Sequence, residues 1–138
     1  MKKIPETQAA HAVLLLSGKY VLQLRDDIPT IAEPGKWSLF GGVLDKGEDP
    51  LSCIKREIFE ELSIKPSKFK QLWFDDFYAP FEKQVIREWF FEASVDDAWN
   101  GHRLNEGKAV KVFDFNELSE LKIPSIMRKT LKHYHESK

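Results

Sequence analysis

Apolar runs separated by turn-forming residues dominate the first third of the chain. Residues 9–16 and 20–24 are apolar runs on either side of residues 17–19, whose Ser-Gly-Lys sequence predicts a β-hairpin. Residues 26–36 contain two prolines and a glycine, and we expect a loop there. Residues 37–40 then predict a short strand that runs into a pair of glycines.

The hydrophobic pattern becomes helical after Asp49. Asp49 followed by Pro50 is typical of a helix N-cap with proline at the first helical position. Beyond it, apolar residues recur at helical spacing and predict one buried stripe, made of Leu51, Ile54, Ile58 and Leu62. Pro66 closes this helical region.

The second half of the chain is rich in aromatic and β-branched residues. Residues 69–78 and 84–95 predict two strands, and residues 96–107 predict a long polar loop. A further strand is expected at residues 109–115.

Two short helical segments are expected near the C-terminus. Asn116 is predicted to cap a turn at residues 117–121, and Pro124 or Ser125 to begin a last helix that runs to about His135. This order of elements predicts an α/β (α+β) fold in which one central and one terminal helix pack on a mixed sheet.

Composition excludes several classes of protein. A chain of 138 residues with 42% hydrophobic residues is expected to form a single domain, residues 1–138, with a real core. A net charge of −1 does not favour binding to a nucleic-acid polymer or to an anionic membrane. Cys53 is the only cysteine, which argues against a disulfide framework, and no apolar run could span a membrane. We therefore expect a cytoplasmic protein.

Glutamates are concentrated on one side of the predicted central helix, beside its apolar stripe. Glu57, Glu60 and Glu61 stand at i, i+3 and i+4, within an arc of about 100°. Three like charges this close repel one another, and Mg²⁺ relieves such repulsion because it prefers carboxylate oxygens. A solvated acidic face is the commoner meaning of this spacing in isolation.

The surrounding residues favour the metal site. Gly41 and Gly42 allow a backbone carbonyl to approach the same ion, because glycine adopts conformations that other residues avoid. Glu48 and Arg56 can brace the carboxylates through charge-assisted hydrogen bonds.

Residues 42–64 resemble the Nudix box. That pattern is a glycine, five residues, a glutamate, seven residues, an arginine and a glutamate, an apolar residue, any residue, two glutamates, any residue, a glycine and an apolar residue. The matching positions are Gly42, Glu48, Arg56, Glu57, Ile58, Glu60, Glu61 and Ile64. Ser63 departs from it, because the family has glycine where the helix ends and the chain often turns left-handed. We expect a modest cost in stability there and no lost ligand.

The resemblance continues outside the box over nearly the whole chain. Residues 37–42 resemble the strand that leads into the box, and residues 21–25 resemble an early strand that carries a substrate-facing arginine, here Arg25. Residues 105–107, before the last predicted strand, resemble the closing section of the family. Only the box itself is specific.

The resemblance implies a Nudix-type α/β/α sandwich that hydrolyses a nucleoside diphosphate linked to another group X, by attack of water on phosphorus. It implies bound Mg²⁺, with Mn²⁺ as a substitute. The implied metal ligands are Gly42, Glu57, Glu60 and Glu61. Arg56 would orient Glu57, and Glu48 would support the site.

The general base and the substrate contacts are less constrained. The base is either a box glutamate such as Glu60 or an acidic residue on a later loop, for which Glu106 is the candidate. Arg25 is expected to contact the phosphates or the base of the substrate. Three aromatic residues near predicted loops are candidates to stack on a base: Trp37, Tyr78 and Phe81.

Two substrate classes remain open, nucleoside triphosphates and nucleotide sugars. The alternative to an enzyme is a non-catalytic Nudix-fold module that binds a nucleotide as a sensor. Such modules typically lose box carboxylates or the arginine, and this box retains them. The expected partner is a small nucleotide, and the chain is expected to be a monomer or a homodimer.

Overall fold

The structure is a computed structural model that describes residues 4–138. A mixed seven-stranded sheet forms the centre of this part of the chain. The strands are β1 (Thr7–Leu16), β2 (Lys19–Leu24), β3 (Trp37–Ser38), β4 (Phe40–Val43), β5 (Lys70–Ala79), β6 (Gln84–Ser94) and β7 (Ala109–Phe113). The α-helices are α1 (Pro50–Leu62) and α2 (Ser125–Glu136), and short 3₁₀ helices occur at Trp99–Gly101 and Phe115–Glu120.

Strand β1 lies at the centre of this sheet. It pairs antiparallel with β2 and β4 and parallel with β6, while β5 pairs with the far edge of β6. On the other side, β2 also pairs with β3 and β7. A parallel pair needs a long crossover connection, and α1 lies within the crossover between β1 and β6.

The two faces of the sheet bury two separate hydrophobic clusters. Since side chains alternate along a strand, neighbouring residues of β1 and β6 point to opposite faces. One cluster contains Ala12 and Phe91 with Ile54 and Ile58 of α1, whereas the other contains Val13 and Phe90 with Met127 and Leu131 of α2. The expected sandwich of a mixed sheet between the central and the terminal helix is confirmed.

The buried face of α1 is rotated about the helix axis relative to the apolar stripe predicted from the sequence. Ile54, Ile58 and Leu62 are completely buried, but Leu51 is 40% exposed, so its place in the stripe is wrong. On a helix of 3.6 residues per turn, the buried arc is centred between Ile54 and Glu61. Leu51 lies on the same side as Ile58 and Leu62 but in the first turn of α1, where its side chain is exposed. This rotation turns the glutamates further inward than the sequence indicated.

Two other local expectations are also wrong. The strand expected at residues 37–40 divides at Leu39, because β3 pairs with β2 whereas β4 pairs with β1 and continues through both glycines. The strand expected at residues 109–115 ends at Phe113, because Asp114, not Asn116, precedes the following 3₁₀ helix. The backbone N–H of Asp114 donates to the Glu117 carboxylate at 2.8 Å.

The remaining boundaries agree with the sequence within one or two residues. Asp49 caps α1 by accepting the backbone N–H of Ser52 at 2.8 Å. Within residues 4–138, no helix is long and apolar enough to cross a membrane.

Candidate active site

The glutamate-bearing face of α1 lies directly against β4. A Cβ atom added at Gly42 would come within 2.5–2.7 Å of the carboxyl carbon and oxygens of Glu57, so only glycine leaves room for this carboxylate. One turn earlier on α1, the Sγ of Cys53 lies 3.6 Å from the carbonyl oxygen of Gly42. Helix and strand therefore meet at both Glu57 and Cys53.

Arg56 ties three glutamates together. Its Nε and Nη2 donate to the two oxygens of Glu48 at 2.8 and 2.9 Å, and its Nη1 donates to Glu57 at 2.9 Å and to Glu60 at 3.2 Å. The hydrogen bonds from Arg56, with one from the Asp45 N–H, lower the pKa of Glu48 to about 2. Glu48 is therefore a permanent anion that holds the guanidinium against Glu57.

Glu61 is the most buried carboxylate of the cluster, at 2% exposure. It accepts hydrogen bonds from Gln23 Nε2 at 3.2 Å and from the Gly41 N–H at 3.1 Å. Burial raises the pKa of Glu61 to about 9, and the charges of Glu57 and Glu106 add to this effect. Gln23 was not among the predicted site residues, although a glutamine within the otherwise apolar residues 20–24 is a signal that could have found it.

The pKa of Glu57 is also raised. Its burial is the main cause, the charges of Glu60 and Glu106 contribute, and the contacts with Arg56 oppose the shift. Burial and repulsion thus disfavour the charged forms of Glu57 and Glu61, and a bound cation would relieve this effect.

A loop after β6 brings Glu106 to this cluster. The backbone N–H groups of Arg103 and Asn105 donate to the carbonyl oxygens of Leu62 and Glu61, each at 2.9 Å, and Asn105 Nδ2 donates to the carbonyl of Glu60 at 3.0 Å. The last carbonyls of a helix have no partner within it, so the loop satisfies groups that would otherwise need water. The same bonds fix Glu106 beside the end of α1.

Ser63 ends α1 in the left-handed conformation, with φ of 58°, as the box pattern predicted. Its hydroxyl accepts a hydrogen bond from Asn105 Nδ2 at 2.8 Å, so the serine has a contact that glycine could not make.

We expect Ser63→Gly to change the free energy of unfolding by no more than about 0.5 kcal/mol. Removing the strained conformation gains about 1 kcal/mol, and losing the exposed hydrogen bond costs about as much. Thermal melting should test this beside Ser63→Ala, which keeps the strain, loses the bond and should be the less stable variant. A clear fall in melting temperature for Ser63→Gly alone would contradict this balance.

Two clefts open beside the carboxylates and share Arg25 and Gly41. The acidic cleft, of about 380 Å³, is lined by Gln23, Asp26, Glu61 and Glu106 among others. The apolar cleft, of about 210 Å³, is lined by residues of β1, β4, the β5–β6 hairpin and the start of α2. Arg25 Nε donates to the carbonyl of Ala32 at 2.9 Å, which fixes its guanidinium at the boundary between the two clefts.

The three candidate stacking aromatics fall in different places. Phe81 lines the apolar cleft and is 53% exposed. Tyr78 is 60% exposed near the end of β5 and does not line either cleft. Trp37 packs edge-on against Phe113 with 5.0 Å between ring centres. The structure thus brings one of the three to the site.

Cys53 is completely buried, and burial raises the pKa of its thiol to about 12. The thiol therefore stays protonated, so Cys53 fills space beside the helix and is not a nucleophile.

The oxygen atoms of the glutamate cluster are of the kind that a hard divalent cation binds. Their present positions, however, do not surround an ion. Among residues 4–138, no three His, Cys, Asp or Glu side chains are placed to hold a metal ion as they stand. Arg56 and Gln23 instead engage Glu57 and Glu61. The clustering of carboxyl groups and the close approach allowed by Gly42 nevertheless match the oxygen ligands that Mg²⁺ takes. The residues that could hold the ion are Gly42, Glu57, Glu60 and Glu61.

Comparison with known proteins agrees with this geometry. A family model described as the NUDIX domain matches residues 6–134, and the chain belongs to the Nudix family. The fold is similar to a MutT protein from Methanosarcina mazei Go1, at 18% sequence identity and a TM-score of 0.81 over 99% of this chain and 98% of that one.

Two further solved structures share the fold. A MutT NUDIX hydrolase from Burkholderia pseudomallei has 22% identity and a TM-score of 0.76, over 95% of this chain and 98% of that one. The NUDIX domain of Shewanella oneidensis NrtR, solved with ADP ribose, has 16% identity and a TM-score of 0.78, over 99% and 90% of the two chains.

Proposed function

We propose that this protein is a cytoplasmic, Mg²⁺-dependent pyrophosphohydrolase and that residues 1–138 belong to a single domain. Its substrate is a nucleoside diphosphate linked to another group, either a nucleoside triphosphate or a nucleotide sugar. The observation that carries the proposal is the clustering of Glu57, Glu61 and Glu106, where burial and mutual repulsion raise the pKa of Glu57 and Glu61, at the edge of a cleft that also contains Arg25. A buried acidic cluster of this kind stabilises no fold by itself, but it suits a site that binds cations and phosphates together.

The two clefts suit the two ends of such a substrate. The charged diphosphate belongs in the acidic cleft, and a nucleoside belongs in the apolar one, since ligand pockets are mostly apolar with a few polar groups. Arg25 lies at their boundary, where its remaining N–H groups can donate to phosphate oxygens.

Residues of α1 would hold the metal and position one another. Mg²⁺ bound there supplies charge neutralisation of the diphosphate and orientation of the attacking water. Glu57 and Glu61 are the main ligands, completed by Glu60 and the Gly42 carbonyl. Arg56, fixed by Glu48, positions the Glu57 carboxylate.

The reaction needs a carboxylate to accept one proton. Water attacks a phosphorus of the diphosphate, its proton passes to the base, and the bridging P–O bond breaks to release a nucleoside monophosphate and the phosphorylated second group. Glu106 and Glu60 are the two candidates for this base.

Glutamine substitutions should separate these two candidates. Removing a general base lowers kcat by about 10²–10⁴-fold. We expect Glu106→Gln to show this loss with a smaller change in Mg²⁺ affinity than Glu60→Gln causes, because Glu106 adds charge to the cluster but is outside the assigned ligand set. Steady-state turnover and calorimetric Mg²⁺ titration should be measured for both variants. If Glu60→Gln alone shows the loss at unchanged Mg²⁺ affinity, Glu60 is the base instead.

Arg25→Lys should raise KM about 10-fold with a smaller effect on kcat, since charged hydrogen bonds to phosphate are lost in the bound state. Initial rates over a range of substrate concentrations test this. Lys129→Arg, an exchange of the same two residue types in α2 outside the lining of both clefts, is the control and should leave KM unchanged. An unchanged KM in Arg25→Lys would remove Arg25 from the substrate site.

The decisive test of the function is turnover against nucleoside triphosphates, oxidised ones included, and nucleotide sugars, with and without Mg²⁺. Metal-dependent cleavage of one class would support the proposal and choose between the two substrates. Binding without cleavage anywhere in the panel would overturn it.

A nucleotide sensor is the second candidate, and one contact favours it. Arg56 already hydrogen-bonds both Glu57 and Glu60, so these carboxylates are partly satisfied without a cation. The Shewanella oneidensis NrtR domain with the same fold was solved with ADP ribose. For this chain, the sensor hypothesis predicts nucleotide binding that neither Mg²⁺ nor Mn²⁺ converts to turnover.

A further inference from the structure

A buried pair of polar side chains lies in the middle of the sheet, apart from the carboxylate cluster. His11 of β1 hydrogen-bonds through Nδ1 to the carboxylate of Glu88 on β6, and their side chains are only 13% and 4% exposed. The two residues are 77 positions apart and meet because β1 and β6 pair in parallel. No step of the proposed hydrolysis uses either of them.

His11 is one of the residues that line the apolar cleft. Most of the surrounding wall is apolar and comes from Phe77, Phe81, Ile86, Ile126 and Met127, although Arg25, Glu33, Ser38 and Glu82 also line the cleft. Gly41 lies close beside His11, since a Cβ added there would be 2.8 Å from the His11 Cδ2 atom, the neighbour of Nε2 in the ring. Of the two β1 residues that line the cleft, Ala9 and His11, only His11 has a hydrogen-bonding side chain.

The second ring nitrogen of His11 is free to contact a ligand. Within residues 4–138, Nε2 has no hydrogen-bond partner, and the only buried side-chain polar atom without a partner is Thr130 Oγ1. Nε2 is therefore reached from the cleft rather than sealed in the core.

Glu88 determines what this nitrogen can do. A carboxylate has no proton to donate, so the shared proton is assigned to Nδ1 of His11. In the neutral ring, Nε2 then carries a lone pair and accepts hydrogen bonds. A fixed acceptor between the apolar side chains of β5, β6 and α2 favours ligands with an N–H group at that place.

We propose that His11, positioned by Glu88, makes the apolar cleft select nucleobases that carry an exocyclic amino group over matched bases that carry a keto oxygen. A flat heteroaromatic base fits between apolar walls, and its amino group would donate to Nε2, whereas a keto oxygen would face the lone pair. This inference rests on the proposed function in that the cleft binds the nucleoside end of the substrate.

Binding of nucleoside monophosphates tests the inference without turnover. Adenosine and inosine monophosphates exchange an amino group for a keto group at one ring position, with a proton gained on the adjacent ring nitrogen, and cytidine and uridine monophosphates form a second such pair. Calorimetry without metal should show that the wild-type protein binds the amino member of each pair about 10-fold more tightly, the value of one hydrogen bond that its competitor cannot make.

Two variants separate recognition from packing. In His11→Asn the side-chain amide can still donate to Glu88, as Nδ1 does, but the acceptor at Nε2 is gone. The preference should fall to within about twofold while the melting temperature is retained. In Glu88→Leu no side-chain acceptor holds the ring proton on Nδ1, so the proton is no longer kept away from Nε2 and the preference should also fall. His133→Asn, an exposed histidine of α2, should bind as the wild type does.

Equal affinity of the wild-type protein for both members of each pair overturns the inference, as does an undiminished preference in His11→Asn. Should His11→Asn fail to fold, an undiminished preference in Glu88→Leu overturns it. Failure of the proposed function is seen separately, as absence of metal-dependent turnover in a protein whose binding preference is intact.

Discussion

Glu57→Gln is expected to fold as the wild-type protein does and to lose turnover by about 10²–10³-fold in kcat, because it removes one charge from the metal-binding cluster at constant volume. The substituted amide oxygen can still accept the hydrogen bond from Arg56. Burial raises the pKa of Glu57, so the loss of its charge should not lower the free energy of unfolding.

The measurement is steady-state turnover together with thermal melting and a Mg²⁺ titration. Glu120→Gln, an exposed glutamate at the end of a 3₁₀ helix, is the matched control and should behave as the wild type does. Wild-type kcat in Glu57→Gln would remove this residue from the metal site, whatever the state of the rest of the cluster.

Gly41→Ala should have the largest effect on stability, a loss of about 3 kcal/mol or more in the free energy of unfolding. Its Cβ would lie 2.0 Å from the carbonyl oxygen of Ala10 and 2.6 Å from the Cα of His11, both backbone atoms of β1. Relief therefore requires β4 to separate from β1, and the φ of 153° at Gly41 adds strain for a residue with a side chain.

Chemical denaturation should be compared with that of Gly101→Ala, where an added Cβ would meet nothing within 4 Å. That control should lie within about 0.5 kcal/mol of the wild type. A Gly41→Ala protein as stable as this control would show that β4 shifts at little cost. Turnover of the folded fraction should also fall, since the N–H of Gly41 holds Glu61.

Local features of the site were accessible from the sequence. Asp49 and Pro50 marked the start of α1, the spacing of Glu57 and Glu61 marked a common face, and the box pattern located the left-handed turn at Ser63. Each of these depends on residues within a few positions of one another, where helix geometry and capping chemistry decide the outcome.

What the sequence did not reveal depends on pairing between distant strands. At Leu39 the chain changes its pairing partner from β2 to β1, which places Gly41 and Gly42 beside α1. This change depends on which of the two strands pairs with the residues on each side of Leu39. His11 lies within the apolar run at residues 9–16, and its partner Glu88 becomes apparent only when β6 is placed beside β1. The position of Glu106 likewise depends on a loop whose bonds to α1 have no periodic signature.

The bonds between that loop and the end of α1 bear on how binding affinity arises. Because Asn105 holds the carbonyls of Glu60 and Glu61, the backbone at Glu106 is ordered before any ligand arrives. A ligand that contacts Glu106 then does not spend binding free energy on freezing a mobile segment. Preorganisation of this kind makes the acidic cleft a rigid receptor, because the conformational entropy of its loop is already lost when the protein folds.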